Sequence, residues 1–277
     1  MIEQKAIFAY QDRQRIIFGN EECLYVKPHP ALQDYISNYT LTFPTKETIS
    51  EEYTVIPHGC GTLIFALENQ NFSSRLFGPA TKAARVGDQA ATFDQLFIVE
   101  FQPAGLYPFL GFKQTELTDQ LFSFELVQAK LNRAILELLE TAESVQALIF
   151  GVDQLFLRAI LQECPPELTA SAKQIIRQSG NSSLKELSDA VFYSERHLTR
   201  LFNEYLGMSS KTFSRLVRVN RTIRLLNQPE GELTKVYEAA GYYDFSHFNR
   251  DFKRITGYTP QAYRRKMSDF YSEIAKF

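Results

Sequence analysis

Residues 190–213 read AVFYSERHLTRLFNEYLGMSSKTF and residues 240–263 read AGYYDFSHFNRDFKRITGYTPQAY. At an offset of 50 the two stretches align without a gap. Ala190 and Ala240, Tyr193 and Tyr243, His197 and His247, Arg200 and Arg250, Phe202 and Phe252, Gly207 and Gly257 are identical pairs. Ser194 and Asp244 differ but serve equally as helix N-caps. Caps, apolar spacing and closing glycines recur together, which marks an internal structural repeat.

Each copy reads as two short helices around a turn. In the first, Ser183 with Glu186 makes a capping box ahead of Leu184, Leu187 and Val191. A turn at Phe192-Tyr193 follows. Ser194 then caps a second helix whose buried stripe is Leu198, Leu201, Phe202 and Tyr205, closed by Gly207. That spacing leaves Glu195, Arg196, Thr199, Arg200 and Asn203 pointing outward. The second copy repeats the plan over residues 233–257, with cap Asp244, buried Phe248, Phe252 and Ile255, and outward Phe245, Ser246, Asn249, Arg250 and Lys253. A helix is narrow enough for the major groove, and outward groups of this kind donate and accept hydrogen bonds at base edges. For Arg200 and Arg250, a fork onto guanine and a clasp on phosphate both remain open.

Between the copies, residues 211–227 predict one stiff helix carrying Arg215, Arg218, Arg221 and Arg224. Spacing by three advances such a row by roughly 60° per step, so the arginines spiral. They make either a solvated face with a few ion pairs or a set in which Arg218 and Arg215 reach phosphates and fix the register.

With these residues in view, the last hundred or so positions resemble the AraC-type DNA-binding domain, in the segments SLKELSDAVFYSERHLTRLFNEYLGMS, RLVRVNRTIRLL and GYYDFSHFNRDFKRITGYTPQAYRR. The resemblance implies base-facing roles for Arg196, Thr199 and Arg200 in the first copy and for Phe245, Ser246 and Arg250 in the second. Phe192 stands where that family has a turn glycine, Ser210 where it has proline and Tyr237 where it has a small alanine. The segments VIPHGCGTLIF (55–65), GPAT (78–81) and FQPAGLYPFLG (101–111) are similar to the domain that precedes this unit in one subgroup of the family, and across the wider family the resemblance implies a half that senses a small molecule or drives dimerisation.

Working outward, the pair Pro165-Pro166 interrupts any helix and marks a boundary between residues 1–164 and 165–277. Charge divides at the same place. The second part holds 18 Lys and Arg against 12 Asp and Glu, a balance of +6, leaving 12 bases and 20 acids, or −8, in the first. A modest basic excess agrees with a nucleic-acid partner without requiring one. The fold class expected is therefore α+β. The first part is mainly β, with strands near 15–18, 24–26, 35–43, 53–56, 62–67, 72–77 and 96–101 followed by two packed helices within 116–162, and the second is all-α.

No apolar run is long enough for a membrane span and residues 1–10 do not form a signal peptide, so the cytoplasm is the expected place. Cys23, Cys60 and Cys164 lack the spacing of a zinc or redox pair. Neither a metal motif, a phosphate loop nor a nucleophile elbow occurs, and no cofactor or catalytic residue is assigned. An effector pocket is expected among Tyr39, His58, Phe65, Glu100 and Tyr107, because aromatic walls with a few polar groups suit small ligands. Candidate partners are double-stranded DNA, a small-molecule effector, RNA polymerase and a second copy of the chain. The competing class is an enzyme or alkyl acceptor fused to a DNA-binding tail, which would need a reactive Cys60.

Overall fold

The computed structural model describes residues 2–45, 49, 51–228, 233–266 and 270–271. Seven strands form one antiparallel sheet in the order β1-β2-β3-β8-β5-β6-β9. They are β1 (Ile16–Gly19), β2 (Cys23–Val26), β3 (Ile36–Thr42), β5 (Thr62–Glu68), β6 (Asn71–Phe77), β8 (Gln95–Phe101) and β9 (Leu121–Ser123). A smaller sheet sets β4 (Thr54–Val55) between β7 (Ala84–Arg85), antiparallel, and β10 (Phe270–Tyr271), parallel. β7, β9 and β10 escape the sequence reading, being too short to show alternation.

The two-residue period explains the central three strands. Tyr39 pairs with Val99, which pairs with Leu63, and Phe97 pairs with Phe65, so these side chains share one face. Across the sheet, Glu100 lies between Asn38 and Thr62 on the opposite face. The first face packs on α2 (Phe124–Thr141) and α3 (Val145–Ala159) through Ile135, Leu139, Leu148, Val152 and Phe156, which join it in one buried core. Each such Leu, Val or Phe contributes about 1.5–3 kcal/mol on burial. The side chain of Asp153 on α3, only 2% exposed, accepts from Tyr39 Oη at 3.0 Å and pairs with Arg15 Nη2 at 2.7 Å. This ties β3 and the segment before β1 to the helix layer.

The second half is helical: α4 (Pro166–Arg177), α5 (Leu184–Val191), α6 (Glu195–Leu201), a π-helical turn over Phe202–Leu206, α7 (Ser210–Leu226), α8 (Leu233–Ala239), α9 (Phe245–Thr256) and α10 (Pro260–Arg265). The short helix α1 (Tyr107–Leu110) comes earlier, between β8 and β9. Pro166 starts α4 at its first turn, where a missing N–H costs nothing. Both helix-turn-helix copies use the expected caps: the Ser183–Glu186 box is present, Ser194 accepts from the His197 amide and Asp244 from the His247 amide.

A second buried core joins Leu198, Phe202, Phe213, Leu216, Phe248 and Phe252, and Ile56 and Ala104 from the first half are part of it. The halves meet at several backbone contacts. Asn220 Nδ2 donates to Pro57 O at 2.8 Å, Ala83 N to Ile255 O at 2.8 Å and Thr118 Oγ1 to Gly207 O at 2.7 Å.

Candidate nucleic-acid interface

α6 and α9 occupy the same place in the two copies, each following its cap and turn. On α6, Arg196 and Arg200 are exposed and Thr199 is half-buried, its hydroxyl donating back to Glu195 O at 2.8 Å. Asn203 lies beyond α6 in the π-helical turn and is half-buried. On α9, Ser246, Arg250 and Lys253 are exposed and Asn249 is half-buried. Phe245 is 44% exposed and lies edge-on to Tyr237 and Phe248. The inward sides bury Leu198, Leu201 and Phe202 in one copy and Phe248, Phe252 and Ile255 in the other.

The linker arginines sit differently from the expectation that they reach phosphates. Arg215 Nε lies 2.9 Å from Asp251 Oδ1 and Arg218 Nη1 lies 3.9 Å from Asp251 Oδ2, with 17% and 16% of their side chains exposed. Arg218 also donates to Gly180 O at 2.7 Å, and its guanidinium carbon lies 5.2 Å from the Tyr242 ring centroid. The cause is geometric: α7 packs on α9, and this part of the arginine spiral turns toward Asp251. Arg221 reaches Ser179 Oγ, and Arg224 ends exposed. His247 Nε2 adds a contact to Asp251 Oδ2 at 3.3 Å. Asp251 thus joins α9 to α7. The repeat held a signal for it, since an aspartate stands where the first copy has the buried Leu201.

At the end of α6, Glu204 is shared. Its Oε2 accepts from Arg200 Nη1 at 2.8 Å and its Oε1 lies 3.1 Å from Lys113 Nζ, a residue of the first half. The Lys113 hydrogen bond first, then the charges of Lys113 and Arg200, hold the Glu204 carboxyl below its ordinary range against the opposing effect of desolvation.

The five residues expected to line an effector pocket are not brought together. Tyr39 and Phe65 are fully buried on the sheet face that meets α2 and α3. Glu100 is on the other face, where it accepts from Thr62 Oγ1 at 2.9 Å and lies 3.2 Å from His58 Nε2. Tyr107 packs edge-on to Tyr205 of the second half, with ring centroids 4.4 Å apart. The sheet itself separates the first pair from His58 and Glu100. Cys60 is 2% exposed. The Cys164 thiol donates to Ala104 O, and burial pushes its pKa up to about 12. Among the described residues no group of three or more His, Cys, Asp or Glu could hold a metal, and no helix is long and apolar enough to cross a membrane.

Residues 187–266 match a family described as a helix-turn-helix domain, of the AraC type. That stretch of the chain is an AraC-type helix-turn-helix domain. Residues 25–123 match a second family, described as a domain of unknown function, DUF6597. Over 87 residues the chain is 29% identical to an uncharacterized HTH-type transcriptional regulator, YisR, of Bacillus subtilis, covering 31% of this chain and 30% of that protein. Over 102 residues it is 33% identical to the F1 operon positive regulatory protein of Yersinia pestis, covering 36% of this chain and 33% of that one. The matches thus span about a third of each relative's length. ToxT from Vibrio cholerae O395 superposes over 83% of this chain and 92% of its own with a TM-score of 0.41 and 12% identity, a likeness too loose to argue from.

Proposed function

We propose that the protein is a sequence-specific DNA-binding transcription regulator. Residues 165–277 form its DNA-reading unit and residues 1–164 a unit that senses a small molecule, associates with a second copy, or does both. The observation that supports this best is the pair of capped helices α6 and α9, each presenting exposed arginine and polar side chains, with α7 packed between the two copies. Arranged so, two helices can enter successive major-groove turns. The relatives matched are named as an HTH-type transcriptional regulator and an operon's positive regulatory protein, which favours regulation over catalysis and implies work in the cytoplasm beside RNA polymerase. Burial of Cys60 removes the main support for a thiol-reactive alternative. The test is affinity for duplex DNA as a function of salt. Neutralising roughly six to ten phosphates gives a slope of log K against log salt of about −5 to −9, and a slope near zero would refute the reading.

A further inference from the structure

The first half grips the first reading helix at its C-terminal end. Thr118 Oγ1 donates to Gly207 O, and a Cβ added at Gly207, whose φ is +82°, would lie 2.5 Å from Thr118 Oγ1 and 2.9 Å from Gln114 O. The Gln114 side chain is itself buried, and Tyr107 lies against Tyr205. Lys113 is thereby presented from a backbone clamped against the π-helical turn, with 60% of its side chain exposed. From there its ammonium takes one oxygen of Glu204 while Arg200, whose counterpart in the second copy is Arg250, takes the other. The second copy has no such acid, since the position aligned with Glu204 is Arg254.

A carboxylate beside a reading helix has two effects on DNA. It repels phosphate, and it competes with base or phosphate for the arginine it holds. Both effects shrink when another cation occupies one of its oxygens. We propose that Lys113 is a positioning residue for DNA recognition by the first reading helix: by holding Glu204 from the other half of the chain, it weakens the carboxylate's grip on Arg200 and offsets its charge. The inference rests on the DNA-binding reading above. It makes the contact between residues 113–118 and the π-helical turn the place where a change in the first half alters affinity for DNA. Withdrawal of Lys113 leaves both Glu204 oxygens to Arg200, and binding falls.

The test uses the full chain and a fluorescent duplex recovered by selecting genomic fragments with the wild-type protein. Lys113→Ala is expected to weaken binding about three- to tenfold near 0.1 M salt, and Lys113→Arg to stay within about twofold of wild type. Glu204→Gln is expected to strengthen binding, because it frees Arg200 and removes a negative charge. The deciding measurement is Lys113→Ala in the Glu204→Gln background, where its cost should fall below about twofold. An equal cost in both backgrounds, with a salt slope reduced by about one, means that Lys113 touches phosphate itself and overturns the relay. No cost in the wild-type background overturns it too, as does unchanged or weaker binding by Glu204→Gln. Should Lys113→Ala shift the urea midpoint, the Lys113→Arg and Glu204→Gln results decide alone. If selection with the wild-type chain recovers no bound duplex, the DNA-binding reading has failed and this inference fails with it; binding that ignores Lys113 sinks the inference alone.

Discussion

Replacing Asp251 by alanine tests how the two reading helices are fixed. The carboxylate is 11% exposed and meets Arg215, Arg218 and His247. Its loss leaves the Arg215 guanidinium largely buried without its 2.9 Å partner, while Arg218 keeps the Gly180 carbonyl and the Tyr242 ring. Removing one member of a fully buried pair costs about 3–5 kcal/mol, and the remaining exposure of both arginines brings the expectation to about 2–4 kcal/mol. At an m-value of about 2 kcal/mol/M, the urea midpoint of the helical half should drop by about 1–2 M, read by far-ultraviolet circular dichroism. Asp251→Asn, which keeps an acceptor but not the charge, should fall between the two. Arg215→Met should lower stability and leave the salt slope of DNA binding unchanged. A midpoint within about 0.2 M of wild type for Asp251→Ala, together with a slope reduced by about one in Arg215→Met, would refute the structural role and return Arg215 to a phosphate.

Phe192 holds a left-handed φ of +59° with 94% of its surface exposed, so Phe192→Gly relieves strain without loss of packing; a gain of about 0.5–1 kcal/mol in urea unfolding is expected, and a loss would contradict it. Gly180, at φ +78°, passes so close to the Ser214 carbonyl that an added Cβ would overlap it, so Gly180→Ala should cost about 2–4 kcal/mol in the same assay, and a neutral result would show that α4 and α7 are not so tightly apposed. The Cys164 thiol stays protonated in the native chain up to about pH 12 but ionises near its ordinary value of 9.0 when unfolded, so its contribution to stability is complete below that value and is lost as pH climbs toward 12. Correspondingly, an alkylating reagent at pH 8 should label Cys60 and Cys164 only after denaturation, measured by intact mass; fast native labelling of Cys60 would revive the thiol-reactive alternative.

The repeat made the helical half legible because its signals are local. A cap, an apolar stripe and a closing glycine all lie within about a dozen residues, and Ser194 and Asp244 cap as their positions require. Strands β3, β5, β6 and β8 were legible for the same reason, being long enough to show their period. What the sequence left hidden depends on which elements pack together. Arg215 and Arg218 look solvent-bound until α9 is laid on α7 and brings Asp251 to them. The effector residues were gathered by chemical type, although the strand period separates Phe65 from Glu100 across the sheet. Ile56 in the second core, and Lys113 on Glu204, bring together residues too far apart in the chain for any periodicity to report.

The most direct test of two parallel reading helices is to bind Arg200→Ala and Arg250→Ala, beside the wild-type chain, to a duplex library with every position of the selected site randomised. The two arginines occupy equivalent places on α6 and α9, and both are exposed. With those helices in successive major-groove turns, each variant should lose preference or affinity at its own position, the two lying on one face of the duplex roughly 10 base pairs apart. Wild-type affinity and preference in both variants, or effects that map to the same base pair, would contradict the account.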